Sequence, residues 1–496
     1  MSEAKKEPSE VSRRRFLKYG AGVVVVGAAA AAAYYALTPP SPPAPPTPTP
    51  TTTEIVTTGP PPTTTAPPPM AISLRGETCS DPNFYLWDKD SKVTPGGLLA
   101  EYEHLAGANI TLERVDWMAH YEKSRLELQS KSPTYDFFGF DSYVRGSYLP
   151  NDWFFDLKEL ESRTGLEMGW ADINPRALEW VEYEGKILGV PSELCEAPLF
   201  TLRRSLFEDP KLGDEFEKKY GRPLAPPNSW EEVNELAQFF TRKINGVQWY
   251  GISLMMAPEA ASDEFYFRWL TMGGGKGGKP TSGLIVDEKF QPLINNDMGV
   301  KALELMVEVF KKKWCAPGGT EVSWVDITSN YFAGDVAVGY MWSVAWSGVD
   351  DPAVSKAAGD IVWHPLPLAR DGTYMHAGWP IAVNKFGRYP EETYKFLHWM
   401  FAPEQDKRLA LLGNNPMRLS TYRDPEVMAM PMNQALYRMA TGPSVVTCDM
   451  SEFAEMNYEF SLEIQNAALG KKSAKQALDD TAEKWREIMK KAGRYG

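Results

Sequence analysis

The chain has 496 residues and a formal net charge of −13, with 65 acidic against 52 basic side chains. That length exceeds what one hydrophobic core serves, so two lobes or domains are expected once non-globular ends are set aside. The acidic balance excludes a nucleic-acid partner, because phosphate binding needs a basic face.

The first segment, residues 1–37, opens on Ser12-Arg13-Arg14-Arg15-Phe16-Leu17-Lys18, followed by an apolar run from Tyr19 to Leu37. This S-R-R-x-F-L-K pattern reads as a twin-arginine export signal. An A-x-A-like cleavage site exists at Ala31-Ala32-Ala33, yet the run is also long enough to cross a bilayer. The expectation is therefore an uncleaved membrane anchor on the extracellular face, with secreted or periplasmic release as the alternative. No cysteine directly follows the run, so a lipid anchor has nothing to attach to. Residues 38–69 are almost wholly Pro and Thr, a composition that stays extended. At about 3.1 Å per residue such a stalk reaches about 100 Å.

From residue 70 onward, apolar runs alternate with amphipathic helices, the pattern of an α/β protein. Strand-like segments are Ile187 to Val190, Val336 to Met341 and Trp379 to Val383, each bounded by turn residues. Three helices are predicted clearly. Ser229 and Glu232 form a capping box ahead of Val233, Leu236, Ala237 and Phe240 on one face. Val300, Leu303, Val307 and Phe310 make a second stripe, and Ser473 with Gln476 caps a third helix that buries Leu478, Ala482, Trp485 and Met489. In open α/β sheets ligands sit outside the carboxyl ends of the strands, so residues just past those ends are the first candidates.

Catalytic motifs are not found. Gly273 and Gly278-Lys279 have phosphate-loop spacing, but Pro280 stands where Ser or Thr would bind magnesium, and no clear strand precedes them. The five histidines, His104, His120, His364, His376 and His398, show no metal-ligand spacing. Neither a G-x-S-x-G elbow nor a Cys and His protease setting occurs. Neither a metal nor a cofactor is expected. Cys79, Cys195, Cys315 and Cys448 are widely spaced and leave three disulfide pairings open, and Asn109-Ile110-Thr111 is a glycosylation sequon. The 16 Trp and 22 Tyr are numerous, and several fall at strand ends and turns. Rings there can stack on flat sugar faces while carboxylates and Arg bond the hydroxyls.

Several segments resemble one family in order and spacing. They include Tyr135-Asp136-Phe137-Phe138 with Asp141, Gly189-Val190-Pro191, and Pro227-Asn228-Ser229-Trp230-Glu231-Glu232. Gly334-Asp335-Val336-Ala337-Val338 leads to Trp342, and a long run extends from Ala377-Gly378-Trp379 through Phe396-Leu397-His398-Trp399 to Pro416-Met417-Arg418. From about residue 70 to the end, the chain resembles extracellular solute-binding protein family 1, the group that includes maltose-binding protein.

The resemblance implies a two-lobed periplasmic-binding-protein-like α/β fold of type II, with three crossings between lobes. Lobe 1 is placed at 70–191 and 379–421, lobe 2 at 192–378 and 422–496. It also implies a monomeric receptor that captures a carbohydrate in the inter-lobe cleft and presents it to the permease subunits of an ABC importer. Carried over position by position, the ligand site comprises Glu77 after the first strand, Asp141, the hinge carboxylate Glu196 (in competition with Glu193), and the stacking residue Trp342. Trp346 flanks it, Trp379 and Arg418 match positions used in many members, and Tyr143 or Phe140 replaces one stacking aromatic. The rival readings are an anchored glycosidase using two carboxylates, the same fold binding a peptide, polyamine or metal chelate, and a sensory protein that has lost transport. An acid-rich pocket favours a polyamine; the Trp set and Arg418 favour a neutral, hydroxyl-rich ligand.

Overall fold

The computed structural model describes residues 72–89, 96–193, 198–346, 348–367, 373–446 and 448–495. The export signal, the stalk, Cys195 and Glu196 lie outside the described residues.

In chain order the strands that position the site are β1 (Ser73–Cys79), β2 (Asn109–Val115), β3 (Phe137–Gly139), β4 (Val190–Pro191), β5 (Pro198–Arg203), β6 (Val338–Trp342), β7 (Ile361–Pro365) and β8 (Pro380–Val383). The first sheet has the order β2-β1-β3-β8-β4. β1 runs parallel to β2 and β3, whereas β8 is antiparallel to both β3 and β4. The carboxyl ends of β1 to β4 and the amino end of β8 therefore share one edge. The second sheet, β6-β5-β7, is antiparallel throughout, with Trp342 paired to Pro198 and Ile361 to Arg203. Every residue of its central strand β5 is buried, as a strand covered on both faces must be. The chain passes from the first sheet to the second between Pro191 and Pro198, and returns between Pro365 and Pro380.

Helices cover these sheets: α1 (Trp117–Gln129), α2 (Trp230–Phe240), α3 (Ala261–Thr271), α4 (Asp297–Lys311), α5 (Trp324–Phe332), α6 (Phe453–Ala468) and α7 (Ala474–Lys491). At the start of α2, Ser229 Oγ accepts from the Glu232 amide at 3.2 Å, but Glu232 returns its carboxylate to the Asn228 amide at 2.7 Å, one residue earlier than a capping box requires. The predicted faces of α2 and α7 are fully buried. On α4 the predicted stripe is buried at Leu303 and Val307 and half-buried at Val300 and Phe310, and the buried face also takes in Ala302, Leu305, Met306 and Val309, because this helix packs against α2 and α3 as well as α6 and α7. Helix α3 is buried at every residue.

One strand expectation shifts, and the reading of the Gly-rich stretch as a turn holds. The run Ile187 to Val190 is not one strand: Lys186–Ile187 closes a hairpin on Glu182–Tyr183, and β4 begins at Val190. Gly189 separates them where an added Cβ would sit 3.0 Å from the Ile381 carbonyl oxygen of β8. The Gly-rich stretch follows helix α3 rather than a strand, and Gly273, Gly275 and Gly277 all have positive φ, so it is a turn and not a phosphate loop. Cys315 and Cys448 are free thiols. No helix among the described residues is long and apolar enough to cross a membrane.

Candidate functional site

The shared edge of the first sheet gathers the polar side chains. Asp81 lies two residues past β1, Asp141 two past β3, Glu193 two past β4, and Trp379 immediately before β8. This is where an open α/β sheet places its ligand.

Asp81 caps the short helix Pro82–Tyr85, accepting from the Asn83 amide at 3.1 Å, and it also accepts a side-chain hydrogen bond from Trp379. Burial pushes its carboxyl up to about 7, and the charge of Asp141 adds to the effect. Asp141 caps the turn Ser142–Val144: its Oδ1 accepts from the Tyr143 amide at 2.9 Å, and the Tyr121 hydroxyl donates to Oδ2. Burial raises this carboxyl to about 6, against the pull of those two donors. Glu193 is fully buried and accepts from Asn415 Nδ2 at 3.1 Å. Burial drives it well above the carboxylate range, and the charges of Asp81 and Asp141 raise it further.

Three contacts join this edge to the second sheet and its helices. The Tyr143 hydroxyl donates to Asp263 Oδ1 on α3 at 2.7 Å. Asn415 Nδ2 also donates to Ser343 Oγ at 2.8 Å, directly after β6. Trp117, at the start of α1, meets Trp324, at the start of α5, edge to face at 4.3 Å between ring centroids. Asp263 is raised to about 7 by burial, with Tyr143 and the Trp342 side chain as its donors. Trp342 ends β6 and packs edge-on to Phe267 at 5.0 Å.

The structure thus brings Asp141, Tyr143, Trp342 and Trp379 together, with Tyr121, Asp81, Glu193, Asp263 and Asn415 around them. Glu77 stands behind them. It was expected just past the first strand, but β1 continues to Cys79 because residues 76–79 keep their parallel pairing with β2, and Glu77 lies opposite Glu113. Fully buried, Glu77 bonds His120 Nδ1 at 2.9 Å, and the His120 ring packs against Trp379 at 5.6 Å. Burial raises its carboxyl while His120 pulls it down. The acid past the strand end is Asp81, which the rule about strand ends would have found with the correct boundary.

Two candidates are placed elsewhere. Trp346 is buried edge-on against Tyr331 at 4.8 Å and Trp363 at 5.9 Å, in the packing of the second sheet. Arg418 is buried with Nε donating to the Phe401 carbonyl and Nη2 to the Met168 carbonyl, both at 2.8 Å, and Asp172 at 3.5 Å. Its hydrogen bonds tie loops together. Glu196 lies outside the described residues. Asp263 carried no sequence signal, because α3 has no polar face to mark its inward acids.

A family model described as bacterial extracellular solute-binding protein matches residues 97–435. The chain belongs to that family. As an extracellular solute-binding protein it acts outside the cytoplasm or in the periplasm. A relative from Sinorhizobium fredii, named as a probable amino-acid ABC transporter periplasmic-binding protein, is 23% identical over 399 residues, covering 79% of this chain and 85% of the relative. A probable ABC transporter-binding protein of Deinococcus radiodurans is 27% identical over 269 residues, 52% of this chain and 60% of the relative. Among solved structures, an Agrobacterium radiobacter ABC transporter solute-binding protein with ribitol matches with TM-score 0.67 and 21% identity, over 84% of this chain and 98% of that one. An Agrobacterium vitis counterpart with D-mannitol matches with TM-score 0.68 and 19% identity, over 85% and 99%. A maltose-bound Thermotoga maritima protein matches with TM-score 0.67 and 18% identity, over 84% and 100%. These similarities give the solute-binding protein a two-lobed periplasmic-binding-protein fold.

Proposed function

We propose that this protein is the receptor of an ABC importer and captures a carbohydrate, an oligosaccharide or a polyol in the cleft between its lobes. The lobes are 70–191 with 379–421, and 192–378 with 422–496, and a membrane-anchoring twin-arginine segment and a Pro/Thr stalk tether the monomer near its permease. The observation that carries this reading is the meeting of Asp141, Tyr143 and Trp379 from the first sheet's edge with Asp263 and Trp342 from the other side, through the 2.7 Å Tyr143–Asp263 bond. Indole and phenol rings offer flat apolar faces, and carboxyls accept from hydroxyls, the combination a sugar site needs. Ribitol, D-mannitol and maltose occupy the structural relatives named above.

Ligand contacts contributed from both sides add to that direct bond and favour the closed arrangement, which is a population shift. Calorimetric titration with monosaccharides, oligosaccharides, polyols, peptides and polyamines, each mixture also assayed for product, tests the reading. Saturable sugar or polyol binding without turnover is expected. Product formation would sustain the glycosidase rival instead.

A further inference from the structure

Asp81, Glu193 and Asp263 each lie within electrostatic reach of Asp141, yet the hydrogen-bond partners of the four are neutral: peptide N–H groups, the Ser142, Tyr121 and Tyr143 hydroxyls, the Trp342 and Trp379 indoles and the Asn415 amide. Among the described residues no lysine or arginine forms an ion pair with any of the four. Arg418, the cation expected there, is held by the Phe401 and Met168 carbonyls. A second observation points to a ligand. Glu193 is 0% exposed, its Oε2 is satisfied by Asn415, and its Oε1 has no hydrogen-bond partner while the carboxyl faces Asp81 and Asp141. A buried carboxyl oxygen left without a donor is costly, and four carboxyls without a counter-ion are more so.

We propose that the cleft holds a protonated amine of its ligand among Asp81, Asp141, Glu193 and Asp263, so that the captured carbohydrate is an amino sugar or amino polyol. The proposal rests on the carbohydrate reading above for the remainder of the ligand. An ammonium group is compact and carries three donors and no acceptor, so it supplies both the missing charge and a hydrogen for Glu193 Oε1. A neutral sugar supplies hydrogens alone and leaves the mutual repulsion in place. The raised carboxyls agree with this, since a bound cation would lower all four together.

The test is titration of the full chain at neutral pH with glucosamine, galactosamine, chitosan oligomers and spermidine, set against glucose, N-acetylglucosamine and chitin oligomers, repeated on Glu193→Gln. That substitution keeps the shape and the Asn415 contact. Amine-bearing sugars are expected to bind at least about tenfold tighter than their neutral or acetylated counterparts, a difference of about 1.4 kcal/mol, and the preference should shrink in Glu193→Gln while the fold persists. Equal or tighter binding of the neutral series overturns the amine and leaves the carbohydrate reading standing. Spermidine binding with no sugar binding upholds the amine site and removes the carbohydrate. Failure of every amine to bind overturns the proposal.

Discussion

The Tyr143 hydroxyl donates to Asp263 Oδ1 at 2.7 Å, and so links the turn after strand β3 to a helix buried beside the second sheet. Tyr143 also stacks on Phe453 at 5.7 Å, which fixes its ring whether or not the hydroxyl is used. Tyr143→Phe therefore removes one cross-cleft bond with little loss of packing. A single bond to a carboxyl is worth about 1–2 kcal/mol, so ligand affinity should fall by about five- to thirtyfold with an unchanged melting temperature. Calorimetry and a thermal scan check both halves.

Trp342 and Trp346 separate binding from packing. Trp342→Ala removes a ring at the site and should weaken ligand binding by about 1–3 kcal/mol. Trp346→Ala, by contrast, leaves a cavity between Tyr331 and Trp363 and should cost about 3–5 kcal/mol of folding stability, with affinity unchanged in the folded fraction. Urea unfolding and titration of each variant give the two numbers.

Arg418→Met tests the structural role of that guanidinium. The Phe401 and Met168 carbonyls would each lose a buried donor, so the expected loss is about 1–3 kcal/mol of stability per carbonyl left unsatisfied. Affinity measured on the folded variant should stay at the parent value.

The rule about strand ends marks the edge of the sheet where the polar side chains gather, the individual residues come from the family resemblance, and the differences come from boundaries and from burial. Asp141 and Trp379 come from the family resemblance, and both stand at strand ends, two residues past β3 and immediately before β8. Glu77 also comes from the resemblance, as the acid that follows Gly76 after the first strand; in the sheet an added Cβ on Gly76 would meet the Phe137 ring at 2.0 Å, pairing continues past it to Cys79, and the acid beyond the strand end is Asp81. Asp263 was invisible because a helix buried on all sides has no amphipathic stripe to contrast with. Arg418 comes from the same resemblance, and its guanidinium is engaged by the Phe401 and Met168 carbonyls beside Asp172.

The raised carboxyls make the ligand-free protein pH-dependent. Asp81 and Asp263 titrate at about 7 in the folded state against 3.8 for the ordinary side chain. The folded state therefore holds more protons than the unfolded one between those values, and their contribution to stability, complete below 3.8, is lost as pH rises through 7. Burial lowers His364 and His376, which act in the opposite sense below their ordinary value of 6.5. The clean window is thus about pH 6.5 to pH 8, where the melting temperature should fall with rising pH and Asp81→Asn should flatten the slope. Over the same range the affinity for spermidine, whose amines stay protonated, should rise, because the carboxyls ionise.

A crystal structure with the tightest-binding member of the titration panel shows whether the solute sits between the edge of the first sheet and Trp342. The ligand is expected within hydrogen-bond distance of Asp81, Asp141 or Asp263 and against the Trp342 or Trp379 ring. A ligand seated away from all five side chains would rule out binding between that edge and Trp342.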